Sequence, residues 1–204
     1  MPHKELSARN AYHRGYYRGN KAAINGRQIK INRDRRHARY AEIQKIKEAS
    51  PCTDCDKSFP YYVMDFDHRD PATKFADVSS MVKRMFAWDK VLAEVAKCDL
   101  VCVCCHRLRT YDGDENYRSR RFKIAKAFID QLKTENPCKD CGVHFEACQM
   151  DFDHTGEKTG GIAWLLSKGA TLGAIQSEIA RCDLVCANCH RERTQARTTQ
   201  QEAA

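Results

Sequence analysis

An α+β chain, built as two small tandem modules behind a basic helical arm, is the fold class the sequence predicts. Three observations carry that expectation: an internal repeat of cysteine and Asp-His motifs, a switch from helical to strand-like apolar spacing inside each repeat, and a basic excess confined to one end. The 204 residues allow one ordinary domain or two small ones. With 42% hydrophobic and 30% charged residues, the chain is neither collagen-like nor compositionally disordered. No stretch approaches the roughly 18 apolar residues of a membrane span, and Met1-Pro2-His3-Lys4-Glu5 lacks a signal peptide's apolar segment. The expectation is a cytoplasmic, non-secreted protein with no membrane partner.

The arm comes first. Residues 1–48 hold 13 Lys and Arg against 4 Asp and Glu, the remainder 22 against 23, so the whole net charge of +8 arises in the first quarter. Arg9, Arg14, Arg18, Arg27, Arg33, Arg35, Arg36 and Arg39, interleaved with Tyr12, Tyr16 and Tyr17, have the makeup of a segment that neutralises phosphates. A solvated basic helix is the plainer reading, and basic runs also bind membranes and acidic proteins.

The repeat follows. Pro51-Cys52-Thr53-Asp54-Cys55 and Met64-Asp65-Phe66-Asp67-His68 recur at an offset of 86 as Pro137-Cys138-Lys139-Asp140-Cys141 and Met150-Asp151-Phe152-Asp153-His154. Cys98-Asp99-Leu100-Val101-Cys102 and Cys105-His106-Arg107 recur at an offset of 84, as Cys182-Asp183-Leu184-Val185-Cys186 and Cys189-His190-Arg191. Lys74 and Lys158, Val82 and Leu166, and Glu94 and Glu178 also pair at 84, which puts the length change in a tolerant loop just after His68 and His154. Each unit opens with a lead-in helix (Tyr40, Ile43, Ile46; Phe122, Ala125, Ile129, Leu132), then a Cys-x-x-Cys knuckle and a short strand ending in Asp-His. A loop, an amphipathic helix (Trp88, Val91, Val95; Leu172, Ile175, Ile179), a strand (Leu100-Val101; Leu184-Val185), a second knuckle and a helix beginning at His106 or His190 complete it. The expected boundaries are 1–48 for the arm and lead-in helix, 49–112 for module 1, 113–136 for linker and lead-in helix, 137–197 for module 2, and 198–204 for a tail. Residues 111–121 are polar and charged, as suits a linker.

Twelve cysteines in 204 residues are too few for a disulfide scaffold and are arranged for metal. Cys52, Cys55, Cys102 and Cys105 form one set of four thiolates, Cys138, Cys141, Cys186 and Cys189 another, and four thiolates close the tetrahedral shell of structural zinc. Thioredoxin-like redox chemistry explains one such pair, not four in register. Two structural Zn2+ sites are therefore expected, each contributing roughly 10–16 kcal/mol of apparent folding energy to units of marginal size. Cys98 and Cys182 read as small buried hydrophobes, and Cys104 and Cys148 lack cysteine counterparts, their repeat partners being Asn188 and Tyr62.

With the zinc shells closed, Asp67, His68 and His106, and Asp153, His154 and His190, are left over. Adjacent strand residues point to opposite faces, so Asp67 and His68 divide naturally into one ligand and one base. His106 follows Cys105 and can face a second metal, giving Asp67 with His106, and Asp153 with His190, two protein ligands and open positions for water and phosphate oxygens. Asp65 and Asp151 lie two residues earlier on the ligand face, as groups behind the ligands or as surface acids. Arg107, Arg109, Arg191 and Arg193 read as phosphate contacts or as helix-surface charge.

This ordered set resembles the HNH endonucleases over residues 51–111 and 137–195: Cys-x-x-Cys, an Asp-His ending a strand, and a closing Leu-Val-Cys-x-x-Cys-His. The resemblance implies two ββα-metal modules, each a two-stranded hairpin and a helix around one divalent ion, here laced by a four-cysteine zinc ribbon. It implies His68 and His154 as general bases, and Asp67 with His106, and Asp153 with His190, as holders of Mg2+, Mn2+ or another divalent ion. The family usually has an asparagine shortly before the second strand, where this chain reads Lys97-Cys98-Asp99 and Arg181-Cys182-Asp183. The expected function is a metal-dependent DNA endonuclease hydrolysing phosphodiester bonds, with DNA held by Arg33, Arg35, Arg36, Arg39, Arg107, Arg109, Arg191 and Arg193. One monomeric chain would carry two active sites as a pseudo-dimer. The rival readings are a zinc-ribbon protein that binds nucleic acid without cutting it, and a zinc-held interaction scaffold.

Overall fold

The computed structural model describes residues 2–111 and 119–202 and combines helices with two small antiparallel sheets. It opens with one continuous helix, α1 (Pro2–Glu48). Tyr12, Tyr16, Tyr17, Ile29 and Ile31 are all exposed and, among the described side chains of α1, only Ile43, near the end, is buried, so these side chains form no long apolar stripe.

Two compact units divide the chain: residues 1–45 with 74–96, and residues 46–73 with 97–204. In the first unit, α2 (Val78–Lys83) packs on α3 (Trp88–Val95), burying Val78, Met81, Val82 and Val91. Arg39 of α1 donates to the Phe86 carbonyl and sits over the Trp88 ring, 5.8 Å from its centroid. Buried Glu94 accepts from the backbone N–H groups of Phe75 (2.7 Å) and Ala76 (3.4 Å), satisfying the chain as it enters α2.

The second unit holds both sheets. β1 (Met64–His68) runs antiparallel to β2 (Cys98–Cys102), and β3 (Met150–His154) to β4 (Cys182–Cys186), with Asp67 opposite Asp99 and Asp153 opposite Asp183. Helix α4 (Val103–Thr110) follows β2 directly, and α8 (Ala187–Glu202) follows β4. Between them lie α5 (Arg120–Glu135), α6 (Ile162–Ser167) and α7 (Leu172–Ile179). Each knuckle turns through a left-handed residue just after its second cysteine, Asp56 (φ 55°) in one repeat and Gly142 (φ 69°) in the other. Glycine and aspartate are among the residues that tolerate this conformation. The knuckles dock on the second strands through Thr53 N–H to Leu100 C=O and Lys139 N–H to Leu184 C=O, both 2.9 Å.

One core serves both repeats. Val63, Met64, Val101 and Val103 of the first are buried in the same cluster as Met150, Val185 and Ala187 of the second, together with Cys52, Cys102, Cys104, Cys138, Cys186 and Cys189. The strands, knuckles and first helical turns of the two repeats thus share one packed core. A second core, Ala125, Ile129, Ile162, Leu166 and Ile175, closes α5, α6 and α7 together.

The expected lead-in and amphipathic helices are present, with Ala125, Ile129, Val91 and Ile175 on their buried faces. Helices α2 and α6 occupy stretches expected to be loop. They are six residues each, too short for spacing to reveal, and are held by packing rather than by propensity. The second strands run five residues where two were expected, and α8 continues through the expected tail as far as Glu202. Residues 112–118 of the expected linker, and residues 203–204 of the tail, lie outside the described residues.

Candidate functional site

In each repeat the four knuckle cysteines converge: the sulfurs of Cys52, Cys55, Cys102 and Cys105 lie within 4.8 Å of one another, as do those of Cys138, Cys141, Cys186 and Cys189. An ion about 2.3 Å from each of four sulfurs needs them about 3.8 Å apart, so both sets fit structural zinc. Backbone donors support them: Cys102 N–H to Cys52 Sγ and Cys186 N–H to Cys138 Sγ, both 3.2 Å. Burial would push the Cys52 thiol up, but N–H groups of Cys102, Cys55 and Asp54 outweigh it and bring it down to about 7. A hydrogen bond from the Cys104 thiol, acting against burial, brings Cys186 down to about 5. Burial and the neighbouring sulfurs push Cys55, Cys105, Cys141 and Cys189 up instead. All twelve cysteines are free of disulfides.

The strand pleat brings Asp65 and Asp67 to one face, and the first turn of α4 lays His106 across them. His106 Nδ1 is 3.2 Å from Asp65 Oδ2, and His106 Nε2 is 3.5 Å from Asp67 Oδ1. The second repeat reproduces this, with His190 Nδ1 2.9 Å from Asp151 Oδ2 and Nε2 3.5 Å from Asp153 Oδ1. Burial favours the neutral acid at Asp65, yet hydrogen bonds from His106 and Arg191 and the charges of Arg191 and Lys47 hold it well below the usual carboxylate range. Asp151 is held down in the same way, against burial, by His190 and Arg107.

An ionised carboxylate only accepts, so the proton of each imidazole sits on Nδ1. In a neutral ring the Nε2 lone pair then faces the oxygen of Asp67 or Asp153. Two electron pairs 3.5 Å apart call for a positive charge between them, either a proton or a cation. The hydrogen bond to Asp65, which outweighs burial, raises the His106 pKa and expresses the first option. The donor set of imidazole plus carboxylate fits a divalent ion as well, with the Nδ1–H to carboxylate bond that orients metal-binding histidines. Asp65 and Asp151 thus stand behind the imidazoles of His106 and His190.

The expected bases are placed differently from the ligands. His154 Nε2 is 2.8 Å from Glu178 Oε1, and Glu178 is buried on α7 while also accepting from Thr159 N–H (3.0 Å) and Gly160 N–H (3.3 Å). Burial would raise the Glu178 carboxyl, but the N–H of Gly160, His154 and Thr159 outweigh it and keep it ionised. Its partner ring therefore carries the proton on Nε2 and leaves Nδ1 as the basic atom. His68 closes β1, half-buried, at the equivalent position.

The arginines after the knuckles are engaged by the chain's own acids. Arg109 binds Asp54 through Nε (2.8 Å) and Nη2, Asp67 (3.1 Å) and Asp99 (3.0 Å), tying knuckle, β1 and β2 to α4. Arg193 does the same with Asp140 (Nε, 2.7 Å), Asp153 (3.1 Å) and Asp183 (3.0 Å). Asp99 and Asp183, in the stretch just before the second strand's Leu-Val, accept from Arg109 and Arg193 and brace them. Arg107 and Arg191 grip Asp151 and Asp65 of the opposite repeat. Of the arm arginines named above, Arg33, Arg35 and Arg36 are exposed, while Arg39 is half-buried against Phe86 and Trp88.

The sequence reading missed three features. Glu178 carried a signal, since an acid recurs at positions 94 and 178 on the buried side of a helix. Lys47 and Lys133 recur at the repeat offset, and burial lowers the pKa of both; Lys47 donates to the Met64 carbonyl at 2.6 Å. Arg197, which donates to both oxygens of Asp153 (2.9 and 3.1 Å), has no arginine counterpart, since position 113 is glycine, and breaks the symmetry of the two sites.

Among known proteins, no family model, no curated protein and no solved structure matches this chain. No helix among the described residues is long and apolar enough to cross a membrane.

Proposed function

We propose that this protein is a metal-dependent endonuclease of the HNH type, with one phosphodiester-cleaving site in each repeat and DNA as substrate. The observation that carries the reading is the twice-built pair of imidazole Nε2 and carboxylate oxygen, 3.5 Å apart, each backed by a second carboxylate and each beside a four-cysteine cluster. The same pairing is built in both repeats, and a redox site would not need the strand acids.

In this reading Asp67 with His106, and Asp153 with His190, hold a divalent ion, which supplies charge to polarise the scissile phosphate and to stabilise the leaving 3′-oxygen. His68 and His154 take the proton from the attacking water as its oxygen bonds to phosphorus and the bond to the 3′-oxygen breaks. At His154 the accepting atom is Nδ1, because Glu178 holds the proton on Nε2. Asp65 and Asp151 keep the metal-binding rings aligned. Exposed Arg33, Arg35 and Arg36 on α1 meet the phosphate backbone, which gives affinity without sequence choice.

The deciding experiment incubates supercoiled plasmid with the zinc-loaded protein and Mg2+ or Mn2+, beside His68→Ala, His154→Ala and the double variant. Wild type is expected to cut both strands, each single variant to nick, and the double variant to do neither. Cutting by the double variant, or an inert wild type that still binds DNA, would sink the proposal, the latter in favour of a zinc-held binding module.

A further inference from the structure

The two candidate sites are wired to each other across the repeat boundary. Arg107, on the helix after the first repeat's knuckle, donates Nη1 to Asp151 Oδ1 at 2.8 Å and Nη2 to Asp151 Oδ2 at 2.9 Å. Arg191, its counterpart, donates Nη1 and Nη2 to Asp65 Oδ1 and Oδ2, both at 2.9 Å. Each guanidinium also reaches a backbone carbonyl of the opposite repeat at equivalent positions, Cys148 (3.5 Å) for Arg107 and Tyr62 (3.2 Å) for Arg191. The same Oδ2 that takes the arginine accepts Nδ1 of the metal-site histidine, His190 on Asp151 and His106 on Asp65.

We propose that Arg107 and Arg191 are positioning residues that act across the repeat boundary: each fixes the histidine of the other repeat's site through the aspartate between them, so neither repeat possesses a complete site alone. The bidentate fork sets the plane of the carboxylate, and the plane sets where the remaining lone pair of Oδ2 points. That lone pair orients the imidazole and so aims Nε2 at Asp153 or Asp67. Lysine, a single-point donor, holds the charge without the plane. An ion pair that merely joined the repeats would serve both sites equally. Here each arginine touches one site only, and it is the site of the other repeat. Duplicated units that complement each other in this way must be retained as a pair.

The inference rests on the nuclease reading for its catalytic consequence and on geometry alone for its positioning consequence, so two measurements separate them. Arg107→Gln and Arg191→Gln, full length and holding two zinc ions, are compared by long-range proton–nitrogen correlation of the histidine rings at one pH. Arg107→Gln should displace the ring signals of His190 and leave those of His106; Arg191→Gln should do the reverse. Nicking is then measured where one base remains. In His68→Ala, Arg107→Gln should slow nicking about 10- to 100-fold, the usual cost of losing a group behind a metal ligand, while Arg191→Gln changes it little. In His154→Ala the pattern should invert. Should either glutamine variant fail to retain zinc, the lysine variants carry the same comparison. An arginine that disturbs its own repeat's ring or rate, or both repeats alike, overturns the proposal. Crossed ring signals in a protein that never nicks would leave the positioning standing and remove the nuclease reading.

Discussion

The heaviest demand on the fold falls on the two four-cysteine clusters, which fit structural zinc, and the shared core makes them interdependent. Of the 13 buried residues in that core, five are ligand cysteines: Cys52 and Cys102 from one cluster, Cys138, Cys186 and Cys189 from the other. Replacing Cys52 and Cys102 by serine leaves one thiolate on each knuckle, too few to hold the ion. A structural zinc contributes about 10–16 kcal/mol of apparent folding energy, whereas a whole domain is stable by about 5–15 kcal/mol. Losing one ion therefore removes as much stability as the unit has. Because Val63, Met64 and Val101 pack in the same cluster as Met150 and Val185, the second repeat's cysteine cluster shares its packing with the first, and the separate core of α5, α6 and α7 contains none of its cysteines. The expected result is a Cys52→Ser/Cys102→Ser protein that has lost both zinc ions by elemental analysis and shows no cooperative thermal transition by circular dichroism. A variant with one zinc per chain and a wild-type transition would refute the single-core reasoning.

Four further outcomes are expected. Glu178→Gln should slow nicking in a His68→Ala background about 100-fold, the lower end of what a general base contributes, because the ring is no longer held with Nδ1 free; an unchanged rate would remove Glu178 from the mechanism. Arg197→Ala should strengthen Mn2+ binding at the second site alone, seen by paramagnetic resonance, since Arg197 competes for both oxygens of Asp153. Asp65 and Asp151 have folded values below the unfolded one of about 3.9, so their stabilisation is full above that pH and is lost as pH falls through the folded values; the gap in urea midpoint between wild type and Asp65→Asn/Asp151→Asn should shrink below about pH 4. Neutralising Arg33, Arg35 and Arg36 should reduce the slope of log affinity for duplex DNA against log salt by about 0.9 for each lost phosphate contact, and an unchanged slope would place DNA elsewhere.

Much of the architecture was readable from the chain because repetition does the work of an alignment. A knuckle recurring at a fixed offset marks a ligand set, and four thiolates per repeat leave the acids and imidazoles for another purpose. Strand alternation separates Asp67 from His68, and in the second repeat His154 meets Glu178 while Asp153 meets His190. Composition could not reveal α2 and α6, whose six residues each are too few to show a period. Arg107, Arg109, Arg191 and Arg193 read from the sequence as phosphate contacts or helix-surface charge, and only folding brings carboxylates from both strands, a knuckle and the opposite repeat up to them.

The division is a physical one. Chemistry that depends on residue type and short separations was determined by the sequence itself: two metal-ready thiolate sets, a basic helix, and an acid and histidine at fixed places on strand and turn. What only the tertiary structure decided is the company those groups keep across long separations. Glu178 reaches His154 over 24 residues, and Arg191 reaches Asp65 over 126. The first contact arises because α7 packs on the hairpin of its own repeat, the second because the two repeats share one core, and no local pattern records which side chains that burial will bring face to face.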